Sequence, residues 1–257
     1  MSEGPPETLN TEEQEGVEPN SLRRGRSRGV EIVAIVEGQT EQTFVRDQLA
    51  EHLGSFGFAI WAILSGKTQR QGGVKKWDSA RNDIIRPLRA GRFCTTMFDY
   101  YAMPSDWPGR REASKLAWAK RAAYVEAMMA EDIGETIGVS FNPSQFIPYV
   151  QLHEFEALLF SDTGVLAAAA TAISPITETY YRKQFDAIIT AAGHPEAIDD
   201  GFETCPSRRI KGIVAGFRKG LHSPIVARRI GLDRLVSDCS HFGSWIKKLE
   251  SLALTPK

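Results

Sequence analysis

Short hydrophobic runs alternate, over the first part of the chain, with segments whose hydrophobic positions recur at helical spacing. The runs are rich in β-branched and aromatic residues, which is typical of buried strands. They predict strands over residues 30–36, 58–64, 93–98 and 146–152. The intervening segments predict helices: one with Thr40 as its N-cap, one over 77–89 that stops before Gly91, and one over 113–133. Strands that alternate with helices indicate an α/β fold with a mostly parallel sheet.

The chain changes character near residues 29 and 163. Residues 1–29 are dominated by Glu, Pro, Gly, Ser and Asn, so we expect a disordered tail, because such a segment buries too little apolar surface to offset its ordering entropy. From residue 163 onward the pattern is helical, with Gly and Pro breaks and no clear strand. The sequence therefore predicts an α/β domain over 30–162 and a helical C-terminal extension over 163–257 that packs on the same domain.

The composition is that of a globular protein, with 42% hydrophobic and 25% charged residues and a formal net charge of −1. This balance gives no overall attraction to nucleic acid. The three cysteines, Cys94, Cys205 and Cys239, are scattered, which argues against a disulfide framework and favours a reducing cytoplasm. No apolar run approaches the ~20 residues of a membrane helix, so we expect no membrane contact.

Acidic residues stand at the ends of three predicted strands. They are Glu37 after the first, Asp99 after the third, Glu154 and Glu156 at the fourth, and Glu41, four residues beyond Glu37. In open α/β sheets, ligands bind outside the carboxyl ends of the strands. Because Mg²⁺ prefers carboxylate oxygens, these acids predict a metal site at that edge. Any one of them could instead cap a helix or pair with an arginine.

The geometry of Glu154 and Glu156 depends on their local structure. If the fourth strand persists through them, both side chains point to the same face and can serve one site. If the block is helical, they point about 200° apart and only one can serve.

Three further residues, His153, Arg208 and Arg209, are candidates for the chemistry. His153 is a general acid or base, or orients a carboxylate; a hydrogen-bonded histidine at a strand end is an equal alternative. Ser207 is placed to cap a helix whose first turn contains Arg208 and Arg209. Because the helix dipole disfavours cations there, we expect an anion beside them, either a phosphate or a carboxylate of the metal site.

Four blocks of sequence together resemble a known family. They are residues 35–41, 97–101, 153–162 and 206–210. A hydrophobic strand followed by Glu37-Gly38-x-Thr40-Glu41 resembles the first motif of the Toprim fold, found in topoisomerases, primases and OLD-type nucleases. Together the blocks look like a bacterial Toprim-related family of unknown function, similar to the RloB-type proteins that accompany ATPases in phage-defence loci. The block that begins His153-Glu154-Phe155-Glu156-Ala157 is the most specific.

The resemblance implies a Toprim-like sheet of about four strands, a Mg²⁺ or Mn²⁺ site built on Glu37 and Asp99, and chemistry on nucleic-acid phosphodiesters. The second Toprim motif, Asp-x-Asp, maps to positions 99–101, where only the first aspartate is present. Tyr101 is a poor substitute for a carboxylate ligand. Either Glu154 or Glu156 supplies the missing oxygen, or the site does not cleave.

These observations support a first hypothesis of a divalent-metal-dependent nuclease, or nuclease-like effector, that acts on DNA or RNA. Glu41 would then sit beside the metal or hold a second one, and an arginine would stabilise developing charge. The resemblance adds an ATPase partner and a role in phage defence. The alternatives are a catalytically silent Toprim-like subunit that binds or regulates, and a phosphotransfer enzyme that uses the same carboxylates on small molecules.

Overall fold

The computed structural model describes residues 1, 29–66, 76–101, 103–198, 201 and 203–252. Residues 2–28, which make up almost all of the predicted disordered tail, lie outside the described part of the chain. The division of the chain at residues 29 and 163 stays a prediction.

The described strands form one parallel sheet. They are β1 (Glu31–Val36), β2 (Ala59–Leu64), β3 (Phe93–Asp99), β4 (Phe146–Ile147) and β5 (Val150–Gln151). The order across the sheet is β2-β1-β3-β4, and β5 pairs with the end of β3. Every pairing is parallel, which confirms the predicted α/β class.

The predicted fourth strand is divided in two. Pro148 and Tyr149 interrupt it, and the Tyr149 backbone bonds instead to the Thr96 side chain, which donates to the Tyr149 carbonyl at 2.9 Å and accepts from its N–H at 2.8 Å. The pairing with β3 resumes at Val150. The prediction of one continuous strand over 146–152 was therefore wrong, because a proline has no N–H to donate to the hydrogen-bond ladder of the sheet.

Helices make up most of the rest of the chain as far as the structure describes it. They are α1 (Gln39–Phe44), α2 (Ala50–Gly54), α3 (Trp77–Arg89), α4 (Arg110–Ala113), α5 (Trp118–Ile137), α6 (Thr163–Thr171), α7 (Glu178–Ala192), α8 (Pro206–Ile213), α9 (Lys219–Ile230), α10 (Leu232–Asp238) and α11 (Ser240–Ser251). A π-helical turn, Val45–Leu49, joins α1 to α2. The predicted stop at Gly91 is confirmed, since α3 ends at Arg89 and Gly91 has a φ of 72°.

Two helix predictions need correction. Thr40 is not the N-cap of α1; Gly38 is, and Thr40 lies inside the helix. The helix predicted over 113–133 is two helices, α4 and α5, and α5 continues to Ile137 before Gly138 ends it with a φ of 76°. From residue 163 onward the described chain contains helices and no strand, as predicted.

Each face of the sheet is covered by helices. Val33 and Ile35 point to one face, where they pack with residues of α3 and α5 such as Ile84 and Val125. Ile32, Ala34 and Val36 point to the opposite face of the sheet, where they join a larger core. That core combines α1 with the C-terminal helices, which therefore lie against the sheet. No described helix combines the length and apolar character needed to cross a bilayer.

Candidate functional site

Glu37 and Glu41 are positioned by the turn that follows β1. The Glu37 carboxylate accepts a hydrogen bond from the Asp99 backbone N–H at 3.0 Å. The Glu41 carboxylate accepts from the Gly38 N–H at 2.9 Å, so it satisfies an otherwise unpaired donor at the start of α1. A Cβ at position 38 would lie 3.2 Å from that carboxylate oxygen, so a larger residue there would press on the Glu41 side chain. The end of β1 therefore brings both acids beside the end of β3.

Asp99 is the last residue of β3 and is only 3% exposed. One carboxylate oxygen accepts from the Phe155 N–H at 3.0 Å. The other lies 3.0 Å from the ammonium of Lys219. Asp99 thus connects three parts of the chain that are distant in sequence.

The segment with Glu154 and Glu156 adopts neither of the two expected geometries. The strand ends at Gln151, Glu154 is extended, and a 3-10 helix, Phe155–Ser161, begins directly after it. Nevertheless both carboxylates reach Lys219, Glu156 at 2.9 Å and Glu154 at 3.6 Å. The turn therefore achieves the convergence that a continuous strand was expected to provide.

His153 stands at the start of that turn. It is 2% exposed, and its φ of 63° lies in the left-handed region that few non-glycine residues adopt, although histidine is among the more tolerant. Its carbonyl accepts from the Tyr101 N–H at 2.9 Å. This bond joins the segment that follows β3 to the segment that follows β5. Any role of the His153 imidazole in chemistry stays a prediction.

Lys219 is the residue that the sequence analysis missed. It is the first residue of α9, and its ammonium lies within 3.6 Å of Asp99, Glu154 and Glu156. A cation in the first turn of a helix opposes the helix dipole. Applied to α9 as it was applied to Arg208 and Arg209, this rule marks Lys219 as a cation that requires an anion, although it does not indicate which acids supply it. We refer below to Glu37, Glu41, Asp99, Glu154, Glu156 and Lys219 as the carboxylate cluster.

Two serines complete the contacts of the cluster. Ser207 donates to Glu154 with both its backbone N–H, at 2.9 Å, and its hydroxyl, at 3.1 Å. Ser223 of α9 donates to Glu156 at 2.7 Å. Ser207 was expected to be an N-cap, but the N-cap of α8 is Cys205. The anion at the start of α8 is therefore the carboxylate of Glu154.

Arg208 and Arg209 differ in their surroundings. Arg209 is half-buried and donates to the Thr204 carbonyl at 2.6 Å. Arg208 is exposed at the surface beside the start of α8. A phosphate contact of either side chain stays a prediction.

Burial and mutual repulsion shift the protonation of the acids. Burial, followed by the charges of Asp99 and Glu41, raises the pKa of Glu37 well above its ordinary value. Burial, followed by the charge of Asp99, raises the pKa of Glu41 to about 8. Burial also raises the pKa of Asp99 to about 6, against the opposing effect of Lys219. The cluster therefore concentrates more negative charge than one ammonium neutralises.

Lys219 shows the complementary shift. Burial opposes its positive charge, but the neighbouring carboxylates, led by Asp99, raise its pKa well above the ordinary value. Lys219 is therefore charged throughout the physiological range.

The donor set of the cluster fits a hard divalent cation in its chemistry, because five carboxylates share a small volume with a deficit of positive charge. As the side chains stand, no group of three or more His, Cys, Asp or Glu residues in the described chain is arranged to hold a metal ion. The ammonium of Lys219 lies between three of the carboxylates instead.

Comparison with solved structures finds distant likenesses. The C-terminal region of the Burkholderia pseudomallei OLD protein gives a TM-score of 0.45 at 12% identity, over 88% of this chain and 98% of that one. The C-terminal region of the Xanthomonas campestris pv. campestris OLD protein gives a TM-score of 0.41 at 13% identity, over 87% of this chain and 95% of that one. At these TM-scores neither likeness carries an argument about function.

Comparison of the sequence with known proteins and protein families identifies a family. No curated protein matches the chain. One family model, described as a domain of unknown function (DUF4276), matches residues 36–250. The match contains every residue of the carboxylate cluster and most of the chain. The protein therefore belongs to the DUF4276 family.

Proposed function

We propose that the protein is a divalent-metal-dependent nuclease that hydrolyses phosphodiester bonds of nucleic acid. The observation that carries the proposal is the carboxylate cluster: five acids from three separate segments meet at the carboxyl ends of β1, β3 and β5. Holding so many carboxylates together is costly unless a cation compensates them. The raised pKa values of Glu37, Glu41 and Asp99 express that cost.

Glu37, Asp99 and Glu156 are the residues that would hold Mg²⁺ or Mn²⁺. Ser207 donates hydrogen bonds to both oxygens of Glu154, whereas Ser223 donates to only one oxygen of Glu156, so of these two acids Glu154 is better suited to fixing the start of α8. Glu156 is then the acid that compensates for Tyr101 at the second aspartate position. Glu41 adds a further carboxylate beside Glu37.

A bound divalent cation would polarise a phosphoryl oxygen and generate a nucleophilic water. The chain's own residues would bind and orient the substrate around it. Lys219 places a fixed positive charge beside the same acids, where developing negative charge on phosphate would be stabilised. Arg208, exposed near the start of α8, would contact a neighbouring phosphate, and His153 stays a candidate for proton transfer.

The test is cleavage of labelled DNA and RNA in Mg²⁺ or Mn²⁺ by the wild type and by Glu37→Gln and Asp99→Asn. We expect each substitution to reduce the rate at least about a hundredfold, since each removes a charged group from the reacting site. Glu51→Gln, at an exposed position on α2, is the matched control and should leave the rate unchanged. Equal rates in the wild type and both site variants would reject the proposal.

A second candidate is a catalytically silent subunit that binds nucleic acid or a partner. Two observations favour it: Tyr101 stands where an aspartate is expected, and Lys219 already compensates part of the cluster's charge. Calorimetric titration with Mg²⁺ and Mn²⁺ separates the two candidates. No metal binding, with or without nucleic acid, would favour the silent subunit.

The resemblance to RloB-type proteins supports the wider setting of the proposal, which is phage defence with an ATPase partner. That part of the proposal rests on the sequence blocks alone. Co-purification of the chain with the product of a neighbouring ATPase gene would test it.

A further inference from the structure

A groove of about 680 Å³ lies between α1 with its π-helical turn and α9. Both helices begin at the carboxylate cluster, because Glu41 lies in the first turn of α1 and Lys219 is the first residue of α9. Thr43 and Gly220 line the groove close to the cluster, and Arg228 and Arg229 line its far end. The groove therefore leads away from the candidate active site along the surface.

The groove carries an excess of positive charge. Three arginines line it, Arg46, Arg228 and Arg229, against one acid, Asp47. Arg46 is already paired with Asp47 at 2.5 Å. Arg228 and Arg229 are both exposed, so their guanidinium groups are accessible to an anionic ligand. A ligand with several phosphate groups along a chain complements this arrangement.

The same groove has an apolar wall. Leu221 and Ile225, each 45% exposed, stand one helical turn apart on the outer side of α9. Pro224 lies between them and also lines the groove. Exposed apolar side chains beside two exposed arginines suit a ligand that presents both phosphates and flat apolar surfaces.

We propose that this groove binds a single strand of nucleic acid and guides it into the carboxylate cluster. The inference rests on the proposed function and adds the form of the substrate and the surface that binds it. An unpaired strand exposes base faces that can pack against the aliphatic Leu221 and Ile225 and phosphates that can pair with the arginines, whereas a duplex hides its base faces. Arg228 lies nine positions beyond Lys219 along α9, which corresponds to a rise of about 14 Å. Arg228 and Arg229 are therefore positioning residues that contact phosphates away from the scissile bond.

Fluorescence anisotropy with a labelled 12-nucleotide single strand, in EDTA to prevent cleavage, tests the groove. Arg228→Ala with Arg229→Ala should weaken binding at least about tenfold at 0.1 M salt. It should also reduce the slope of log affinity against log salt by about 1.4, or about 0.7 for each lost phosphate contact. A hairpin duplex of the same composition should bind the wild type more weakly than the single strand does. The double substitution should also reduce its affinity by a smaller factor.

Two controls separate binding from folding. Arg228→Lys with Arg229→Lys keeps the charge at the end of α9 and should retain most of the affinity. Arg89→Ala removes an exposed arginine from α3, on the opposite face of the sheet, and should leave binding unchanged. Wild-type affinity in the alanine double variant, or preference for the duplex, would overturn the groove assignment, as would a wild type that binds no nucleic acid.

Failure of this inference is distinguishable from failure of the proposed function. Glu37→Gln lies outside the groove and should retain single-strand binding while losing cleavage. If it cleaves normally, the metal assignment fails and the groove measurement stands. If the arginine variant binds normally, the groove assignment fails and the cleavage result stands.

Discussion

At the scale of single residues, Lys219 determines the electrostatic balance of the carboxylate cluster. It contacts three of the five acids, and its charge also opposes the pKa shifts of Glu37 and Glu41. A buried carboxylate without a compensating cation is strongly destabilising. The fold therefore depends on Lys219 whenever no other cation is bound.

We predict that Lys219→Met lowers the free energy of unfolding by about 2–3 kcal/mol at pH 8 in EDTA. The loss should stay below the 3–5 kcal/mol of a fully buried pair, because the Lys219 side chain is 30% exposed. Urea unfolding measures it, and Lys183→Met, an exposed position on α7, is the control. Addition of Mn²⁺ should recover part of the loss if the cluster binds metal. Identical unfolding of the variant and the wild type would contradict this account.

The sequence identified the acids of the site but not their counter-charge. Glu37 and Asp99 were visible because each directly follows a strongly hydrophobic strand. Lys219 lies 120 residues beyond Asp99 and follows no strand. Its position beside the acids results from the packing of α9 against the sheet, which is a long-range property that local patterns do not contain.

At the scale of elements, the site acids also join secondary structures to one another. Glu154 binds the start of α8 through Ser207, and Glu156 binds α9 through Ser223. Asp99 binds the first residue of the 3-10 helix through the Phe155 N–H. Substitution of these acids therefore changes helix docking as well as chemistry, so a loss of activity needs a measurement of folding beside it.

The regular elements were largely predictable, and the irregular ones were not. The first three strands and α3 agree with their predicted bounds to within a residue, because their hydrophobic periodicity is strong. The conformation of residues 153–156 was not predictable, because hydrogen bonds to Asp99, Ser207 and Ser223 fix it. Those partners are far away in sequence.

The packing of α11 against α10 leads to a second prediction. A Cβ at Gly243 would lie 2.4 Å from the Val236 carbonyl oxygen, so Gly243→Ala forces the two helices apart. We expect a loss of about 1–3 kcal/mol in the free energy of unfolding. Gly212→Ala is the matched control, since a helical Cβ there meets nothing within 4 Å and should stabilise by about 0.4–1 kcal/mol. Thermal and urea unfolding of both variants measure the contrast, and equal effects would contradict the close packing.

At the scale of the whole molecule, the raised pKa values connect stability to pH. Glu41 titrates near its ordinary value of 4.5 when unfolded and at about 8 when folded. Asp99 shifts in the same direction, from 3.8 to about 6. Between these values the folded protein retains protons that the unfolded chain has lost. Stability from these groups is complete below about pH 4 and is lost progressively up to about pH 8.

We therefore predict that, in EDTA, the unfolding temperature falls as pH rises from about 5 to 8, and that Glu41→Gln reduces this slope. Divalent cations should reverse the trend, because they compete with protons for the same oxygens and bind more tightly as pH rises. Differential scanning calorimetry across the range, with and without Mn²⁺, provides the measurement. Stability in EDTA that increases steadily from pH 5 to 8 would contradict the assignment.

The position of Lys219 along the chain also has a consequence for biosynthesis. The ribosome adds all five acids of the carboxylate cluster before it adds Lys219, so an unfinished polypeptide carries the carboxylates without the ammonium that three of them contact in the folded protein. Contacts over such separations form late and slowly. Until α9 has emerged and docked, the nascent chain lacks the ammonium that Lys219 places beside Asp99, Glu154 and Glu156, and a product that terminates before residue 219 lacks it permanently.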